Sequence, residues 1–184
     1  MRIIGGTWKK SVLRFPAIDG LRPTPDRVRE TLFNWLGQDL SGLNCLDLFA
    51  GSGALGFESA SRGASRVVLI ERDMEAVRAL RANAARLSAT VLEILCADAP
   101  AWLASAKERF DVVFLDPPFR QNGLPEALAR LPGVLNPGAR VYVEAPEALG
   151  SELGWRELRR SRAGAVSYQL LEWNDDRSGL PGDV

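Results

Sequence analysis

Histidine is absent from all 184 residues of the chain. It is the commonest acid–base group near neutral pH and the commonest metal ligand, so any chemistry must depend on carboxylates, backbone groups and binding geometry. We therefore expect an active site without a metal.

Cysteine is scarce, and long apolar runs are missing. Cys45 and Cys96 both fall in predicted strands, where a free thiol behaves as a small apolar side chain, so a disulfide or a catalytic thiol is disfavoured. No apolar run is long enough to span a bilayer, and the N-terminus lacks the basic start and apolar stretch of a secretory signal. These features predict a cytoplasmic protein, and a monomer is the simplest expectation.

Positive charge collects at the N-terminal end, although the net charge is zero. Residues 1–36 carry seven basic and three acidic side chains, a surplus of four. Such a surplus is typical of contact with a polyanion, but an ordinary solvated face gives the same pattern.

The first part of the chain predicts an arm followed by a helix. Residues 1–21 are expected to form a short hairpin, with extended pieces at 1–4 and 11–15. In the helix that follows, Thr24 is predicted as the N-cap and Pro25 as the first helical residue.

Apolar strands then alternate with helical stretches, which predicts a mostly parallel sheet with helices on both faces. The last two strands follow one another directly and predict an antiparallel edge hairpin. The predicted fold is therefore α/β and Rossmann-like, with seven strands. The strands are predicted at 45–50, 66–71, 91–96, 111–116, 139–145, 155–162 and 165–173, and the helices at 53–62, 74–87, 99–107 and 123–131.

These elements predict one globular domain over residues 22–173. It consists of the N-terminal helical segment at 22–39 and the sheet core at 44–173. The tail at 174–184 is polar, contains glycine and proline, and is predicted to be disordered.

A glycine-rich turn links the first strand of the core to its helix. Gly51, Gly53 and Gly56 match the G-x-G-x-x-G pattern of dinucleotide sites, and Glu71 lies eighteen residues past Gly53, near the spacing of a ribose-binding acid. On those features alone a nicotinamide dehydrogenase is possible. A tight turn without a ligand is disfavoured, because the loop occurs together with acids on both sides.

Asp47 favours a different ligand. A carboxylate just before the loop would face the diphosphate of a dinucleotide, but it could accept hydrogen bonds from the cationic amino group of S-adenosylmethionine, which has no phosphate. We therefore predict S-adenosylmethionine as the cofactor. Its predicted contacts are Asp47, the loop residues Phe49, Gly51, Ser52 and Gly53, Glu71 at the ribose hydroxyls, Asp98 beside Ala97 at the adenine amine, and Arg72 or Met74 beside the adenine ring.

The fourth strand runs into Asp116-Pro117-Pro118-Phe119, the most specific tetrapeptide in the chain. An exocyclic amine of a base is a poor nucleophile, because its lone pair is delocalised into the ring. The Asp116 carboxylate and the Pro117 carbonyl could accept its two hydrogens, and Phe119 could stack on the base. A stiff strand end without chemistry is the alternative, and the loop upstream disfavours it.

Four segments resemble one known family: residues 1–6 (MRIIGG), 22–30 (RPTPDRVRE), 46–53 (LDLFAGSG) and 116–119 (DPPF). The chain resembles the Asp-Pro-Pro-Phe amino-methyltransferases, and within them the bacterial guanine-N2 methyltransferases of type D, which act on 16S ribosomal RNA. The resemblance covers nearly the whole chain. It departs from the family's usual pattern in the first loop, at residues 6–10.

The resemblance implies a fold, a reaction and a partner. The fold is that of S-adenosylmethionine-dependent methyltransferases, and the reaction methylates N2 of a guanine in 16S ribosomal RNA, within a small ribosomal subunit or an assembly intermediate, leaving S-adenosylhomocysteine. Residues around Thr24, Arg27 and Glu30 would close one side of the cofactor's methionine end. The arm would contact RNA through Arg2, Lys9, Lys10, Arg14 and Arg22.

Other functions remain open on the residues alone. A methyltransferase acting on the amine of adenine or cytosine in DNA or RNA would share the tetrapeptide, and a protein-glutamine methyltransferase would generally have Asn in its first position. A non-catalytic module that binds a nucleotide or RNA is disfavoured by the presence of Asp47, Glu71 and Asp116 together.

Overall fold

A computed structural model describes residues 1–16, 24–117, 123–149 and 154–174. Its strands are β1 (Asn44–Asp47), β2 (Arg66–Glu71), β3 (Leu92–Cys96), β4 (Phe110–Leu115), β5 (Leu135–Ala145), β6 (Trp155–Ala163) and β7 (Val166–Trp173). Its helices are α1 (Asp26–Leu36), α2 (Ala54–Ser61), α3 (Met74–Leu87), α4 (Ala99–Ser105) and α5 (Gly123–Arg130), and a 3₁₀ turn at Leu131–Val134 follows α5.

These strands form one sheet in the order β3-β2-β1-β4-β5-β7-β6. Strands β1 to β5 run parallel, whereas β7 is antiparallel to both β5 and β6. The structure thus confirms the predicted Rossmann-like α/β fold with its edge hairpin. The strand order reverses between β1 and β4, and in such sheets ligands bind at the carboxyl ends of the two strands that flank this point.

The predicted bounds differ most from the observed ones at β1 and β5. The strand pairing of β1 stops at Asp47, yet the chain beyond it stays hydrogen-bonded to both neighbouring strands. Leu48 N donates to Phe114 O of β4, and Ala50 N donates to Ile70 O of β2. β5 begins at Leu135, earlier than predicted, and its pairing with β4 includes a register shift.

Both faces of the sheet are covered, which is why its central strands are continuous apolar runs. Side chains of α1, α2 and α3 pack on one face, and those of α4 and α5 pack on the other. On α3, Val77 and Leu80 lie three residues apart on one face of the helix, and both are buried. Asp73 caps this helix by accepting from the backbone N–H groups of Glu75 and Ala76.

The predicted start of α1 was wrong. Thr24 is not the N-cap and Pro25 is not the first helical residue; Pro25 occupies the cap position and the helix begins at Asp26. The Thr24 hydroxyl instead hydrogen-bonds the carboxylate of Glu144 on β5. The Thr24 hydroxyl therefore interacts with a carboxylate that is distant in sequence instead of capping the helix.

The arm is a short hairpin, as predicted, closed by a bridge between Arg2 and Val12. Its turn docks on the end of α2: Thr7 N donates to Ser61 O at 2.7 Å. Because α2 starts at the carboxyl ends of the strands and runs back across the sheet, Ser61 lies at the opposite edge. The turn that carries Lys9 is therefore held at the edge away from the carboxyl ends.

A buried ionic cluster joins the arm to α1 and α2. Arg29 has no exposed surface; it lies 3.3 Å from Glu58 and 2.5 Å from Asp26, and it donates to Arg2 O at 2.9 Å. Arg62 contacts the other oxygen of Glu58 at 2.9 Å. Removing Glu58 would take the shared carboxylate from two buried guanidinium groups, so the cluster makes the position of the arm part of the fold.

Some predicted features lie outside the described residues: Arg22, Pro118, Phe119 and most of the tail, 175–184. In the part of the chain that the structure describes, none of the helices is long and apolar enough to cross a membrane.

The two cysteines differ in exposure. Both are free thiols within strands, as predicted, but Cys45 is buried whereas Cys96 is exposed. Cys96 ends β3, which is an edge strand and has water on one side. Burial raises the pKa of the Cys45 thiol to about 12.

We expect a maleimide to modify one thiol per native chain, at Cys96, because only a thiolate reacts and Cys45 is both inaccessible and protonated. Mass spectrometry of the native and the denatured protein would measure this. Rapid labelling of a native Cys96→Ala variant would contradict the burial of Cys45.

Candidate active site

Each of the five parallel strands brings a carboxylate to the same edge of the sheet. Because the carboxyl ends of parallel strands meet there, these side chains border one crevice. The carboxylates are Asp47 at the end of β1, Glu71 at the end of β2, Asp98 after β3, Asp116 after β4 and Glu144 near the end of β5. Among the described residues, none of the acidic and cysteine groups has the clustering that a metal ion requires.

The loop after β1 needs glycine at three positions. Gly51 and Gly53 have positive φ angles of 52° and 77°, which side chains rarely adopt. A Cβ on Gly53 would lie 2.5 Å from Leu80 Cδ2 and 2.8 Å from Phe57 Cδ2. A Cβ on Gly56 would also be too close to the sheet, so α2 can approach the strands only with glycine there. The loop is therefore both tightly turned and closely packed.

Asp47 is buried in the floor of the crevice, with 4% of its surface exposed. Its Oδ2 accepts a hydrogen bond of 2.9 Å from Gly56 N. Burial raises the pKa of Asp47 to about 7, the Gly56 N–H opposes the rise, and the charge of Glu71 adds to it. Among the described residues this carboxylate has no ion-pair partner, and a bound cation would stabilise its charge.

Glu71 connects the loop to β2. One of its carboxylate oxygens accepts from Gly51 N and the other from Asp73 N, each at 2.8 Å. A carboxylate oxygen can accept more than one hydrogen bond, so both oxygens can still receive a hydroxyl. Of the other predicted loop contacts, Ser52 is buried and Phe49 is half-buried.

The predicted adenine side is more open. Asp98 is exposed, and one of its oxygens caps α4 by accepting from Ala101 N at 3.1 Å. Ala97 beside it is half-buried, and Arg72 is exposed. Met74 has 49% of its surface exposed, which is unusual for a large apolar side chain and provides an apolar surface next to these residues.

Asp116 is half-buried where β4 ends, and Pro117 is buried beside it. Burial raises the pKa of Asp116 well above its usual range, and the charges of Glu144 and Asp47 raise it further. The structure therefore brings the predicted catalytic carboxylate close to the predicted cofactor carboxylate.

Glu144 is a site residue that the sequence analysis missed. It has 8% of its surface exposed, and its Oε1 accepts from the hydroxyl of Tyr142 at 2.8 Å. The Thr24 hydroxyl bonds the same carboxylate. The available signal was an acid inside a continuous apolar strand, because a buried carboxylate needs partners.

The three residues that the resemblance assigned to the methionine end differ in their surroundings. Thr24 is buried against Glu144. Arg27 is exposed in the first turn of α1, whereas Glu30 lines a cavity of about 490 Å³ beside the turn of the arm.

The basic residues of the arm are exposed. Arg2, Lys9, Lys10 and Arg14 all face water, while the backbone of Arg14 is fixed to Asn83 of α3 by two hydrogen bonds. Their side chains are therefore accessible to a partner, on a hairpin that is bonded to the rest of the fold.

Residues 1–172 match the family model described as Conserved hypothetical protein 95. Ribosomal RNA small subunit methyltransferase D of Escherichia coli K12 is 42% identical over 177 residues, which cover 94% of this chain and 89% of that protein. A solved structure of the Escherichia coli protein yhhF has a TM-score of 0.82 at 39% identity and covers 93% of this chain and 96% of that one. A precorrin-6y C5,15-methyltransferase from Geobacter metallireducens, at 19% identity and a TM-score of 0.69, covers 88% of this chain and 94% of that one and shares the fold alone.

The sheet order, the glycine loop and these likenesses define a Rossmann-like fold of the S-adenosylmethionine-dependent methyltransferases. Within that class, the chain belongs to the Conserved hypothetical protein 95 family. Ribosomal RNA small subunit methyltransferase D of Escherichia coli K12 is a relative of this chain.

The residues of the crevice fit S-adenosylmethionine better than a dinucleotide. Asp47 and Asp116 are carboxylates whose pKa values are raised by burial, so they favour a cation and oppose a diphosphate. Glu71 supplies acceptors for a diol next to it.

We expect the affinity for S-adenosylmethionine to fall about tenfold per pH unit below pH 7, because the cation binds only ionised Asp47. In Asp47→Asn this slope should disappear, and affinity at pH 8 should fall at least about 30-fold. Titration calorimetry from about pH 5 to about pH 8, on both sides of the Asp47 pKa of about 7, would measure the affinity and its slope against pH. An unchanged slope in Asp47→Asn would contradict the assignment.

Stability provides the control for damage to the fold. A carboxyl whose pKa is raised by folding contributes most to the stability of the folded state below its unfolded pKa of 3.8. That contribution is lost as the pH rises through its folded pKa of about 7, because the buried carboxyl then ionises. Asp47→Asn should therefore unfold at an equal or higher temperature than the parent at pH 8. Glu147→Gln, which removes an exposed acid beyond β5, should change neither property.

Proposed function

We propose that this protein transfers a methyl group from S-adenosylmethionine to the exocyclic N2 amine of a guanine in 16S ribosomal RNA. The observation that carries the proposal is the half-buried Asp116 followed by buried Pro117, next to the acidic crevice of the loop. The likeness to a ribosomal RNA small subunit methyltransferase D supports the class of substrate.

The cofactor supplies an electrophilic methyl group on a sulfonium when it is bound. Asp47 and the loop hold its charged end, and Glu71 holds the ribose. Asp98, Ala97 and an apolar neighbour hold the adenine. These contacts would hold the cofactor beside Asp116, so that the two reactants meet within one complex instead of in solution.

Asp116 acts on the amine. Its carboxylate and the Pro117 carbonyl accept the two N–H hydrogens, which favours a pyramidal nitrogen with its lone pair directed at the methyl carbon. Proline at 117 and 118 restricts the backbone, so the two acceptors keep their spacing. Phe119 stacks on the base. Transfer is then a direct in-line displacement without a covalent enzyme intermediate.

The target base must leave its stack to reach Asp116, because an amine inside a helix is not accessible to a carboxylate at a sheet edge. An unpaired loop within a small ribosomal subunit or an assembly intermediate is therefore the expected substrate.

We expect the purified protein, incubated with methyl-labelled S-adenosylmethionine and small subunits from cells that lack the enzyme, to yield labelled N2-methylguanosine after nuclease digestion. Asp116→Asn should bind the cofactor normally and lose about 100-fold to 1,000-fold in kcat. Labelled adenosine or cytidine would overturn the guanine assignment. The absence of label in every RNA would favour a non-catalytic RNA-binding module.

The arm is proposed to bind the ribosomal RNA through Arg2, Lys9, Lys10, Arg14 and Arg22. The first four are exposed on a hairpin that the Arg29 cluster holds in place, so their charges can meet phosphates without ordering a flexible segment. Contacts of this kind release counterions, which makes binding steeply dependent on salt.

We expect the triple change of Lys9, Lys10 and Arg14 to alanine to weaken RNA binding and to reduce the slope of log affinity against log salt by up to about 2. Filter binding at several salt concentrations would measure the slope. The matched control removes three exposed charges elsewhere, at Lys107, Arg130 and Arg156. Equal effects of the two triple variants would mean that the arm makes no specific contact.

A further inference from the structure

The position of Glu144 is explained by neither the cofactor contacts nor the hydrogen bonds to the target amine. It lies at the same end of the sheet as Asp116. In the register of β4 with β5, Leu115 pairs with Val143, so Asp116 and Glu144 are the next residues on two adjacent parallel strands. Their carboxylates therefore leave the sheet side by side.

Two hydroxyl groups favour the charged form of Glu144. Tyr142 donates to its Oε1 at 2.8 Å, and the Thr24 hydroxyl bonds the same carboxylate. Burial raises the pKa of Tyr142 well above its usual range, so this hydroxyl stays protonated and can donate. Burial also raises the pKa of Glu144, but the two hydrogen bonds lower it. Of the two neighbouring acids, Glu144 is thus the one that is better stabilised as an anion.

We propose that Glu144 is a positioning residue that keeps a negative charge beside Asp116, so that Asp116 can take the proton that the target amine releases. The proposal rests on the proposed function, because it assigns a role in the same transfer. It extends that function by naming the residue that makes Asp116 a proton acceptor as well as a hydrogen-bond acceptor.

The proton balance explains why such a residue is useful. The lone pair of the amine forms the N–C bond while the methyl C–S bond breaks and sulfur keeps that electron pair. The nitrogen then carries the positive charge and loses one proton to Asp116, which later releases it to water. Before transfer Asp116 faces a cation that favours its ionised form. After transfer the positive charge lies on the nitrogen, whose proton is acidic, and the charge of Glu144 raises the proton affinity of Asp116, so Asp116 is a stronger base at the step that requires one.

The described groups that surround this pair are consistent with that role. Asp116 is influenced by Glu144 from β5 and by Asp47 from β1. Glu144 is bonded by Tyr142 and by the Thr24 hydroxyl, and in the pairing of β5 with β7 it lies opposite Tyr168. These described neighbours are acids and hydroxyl groups. None of them is a cation that would neutralise Glu144, so its negative charge acts on Asp116.

We expect Glu144→Gln, which keeps the size and an acceptor for Tyr142, to move the acidic limb of the kcat profile to lower pH by roughly one unit. Its plateau should fall roughly threefold to tenfold, because Asp116 becomes a weaker base. Tyr142→Phe should shift the limb in the same direction by less. Glu147→Gln, an exposed acid three residues away, should leave the profile unchanged.

A role confined to the fold would give a different result. Glu144→Gln would then change the unfolding temperature or the cofactor affinity, while the pH limb stayed at its parent position. That outcome, or a limb that moves equally in Glu147→Gln, would overturn the proposal.

A second measurement separates this inference from the proposed function. Carboxyl carbon NMR of the ligand-free protein, with Asp116 assigned by its loss in Asp116→Asn, follows the titration of Asp116 without any turnover. The midpoint should fall in Glu144→Gln. An unchanged midpoint would overturn the role of Glu144 even if the protein methylates RNA, whereas a lower midpoint in a protein that methylates no RNA would overturn only the proposed function.

Discussion

The close approach of carboxylates at one end of a parallel sheet is the constraint on which the site depends. Parallel pairing of β1, β2, β4 and β5 leaves no freedom to separate Asp47, Glu71, Asp116 and Glu144, because each lies where its strand ends. Like charges that are partly removed from water raise one another's proton affinity. The ligand-free crevice is therefore an electrostatically unfavourable arrangement that a cation relieves, which gives the choice of cofactor a physical basis.

Two polar connections tie the N-terminal residues to this crevice. The cluster of Arg29 and Glu58 fixes the arm and α1 on α2, and the bond from Thr24 to Glu144 fixes the residue before α1 on β5. Both connections are buried. The arm and the carboxyl end of the sheet are therefore connected through α1, and a shift of α1 would disturb the carboxylates as well as the basic surface.

Much of this structure could be predicted from local patterns. The alternation of apolar strands and amphipathic helices is enough to identify the sheet, and the loop with Asp47 and Glu71 is recognisable because its residues are close in sequence. What could not be predicted depends on long-range contacts. Thr24 has an ideal capping side chain, yet a distant acceptor binds it; Cys96 is exposed because β3 is an edge strand; and Glu144 becomes relevant only once β4 and β5 are paired.

The docking of the arm's turn on Ser61 places the exposed Lys9 and Lys10 away from Asp116. The turn and Asp116 lie at opposite ends of the sheet, a separation of roughly 20 Å for a strand of the length of β2. A single nucleotide cannot reach both places at once. Any ligand that contacts both the arm and Asp116 must therefore extend over at least a strand's length of the protein surface.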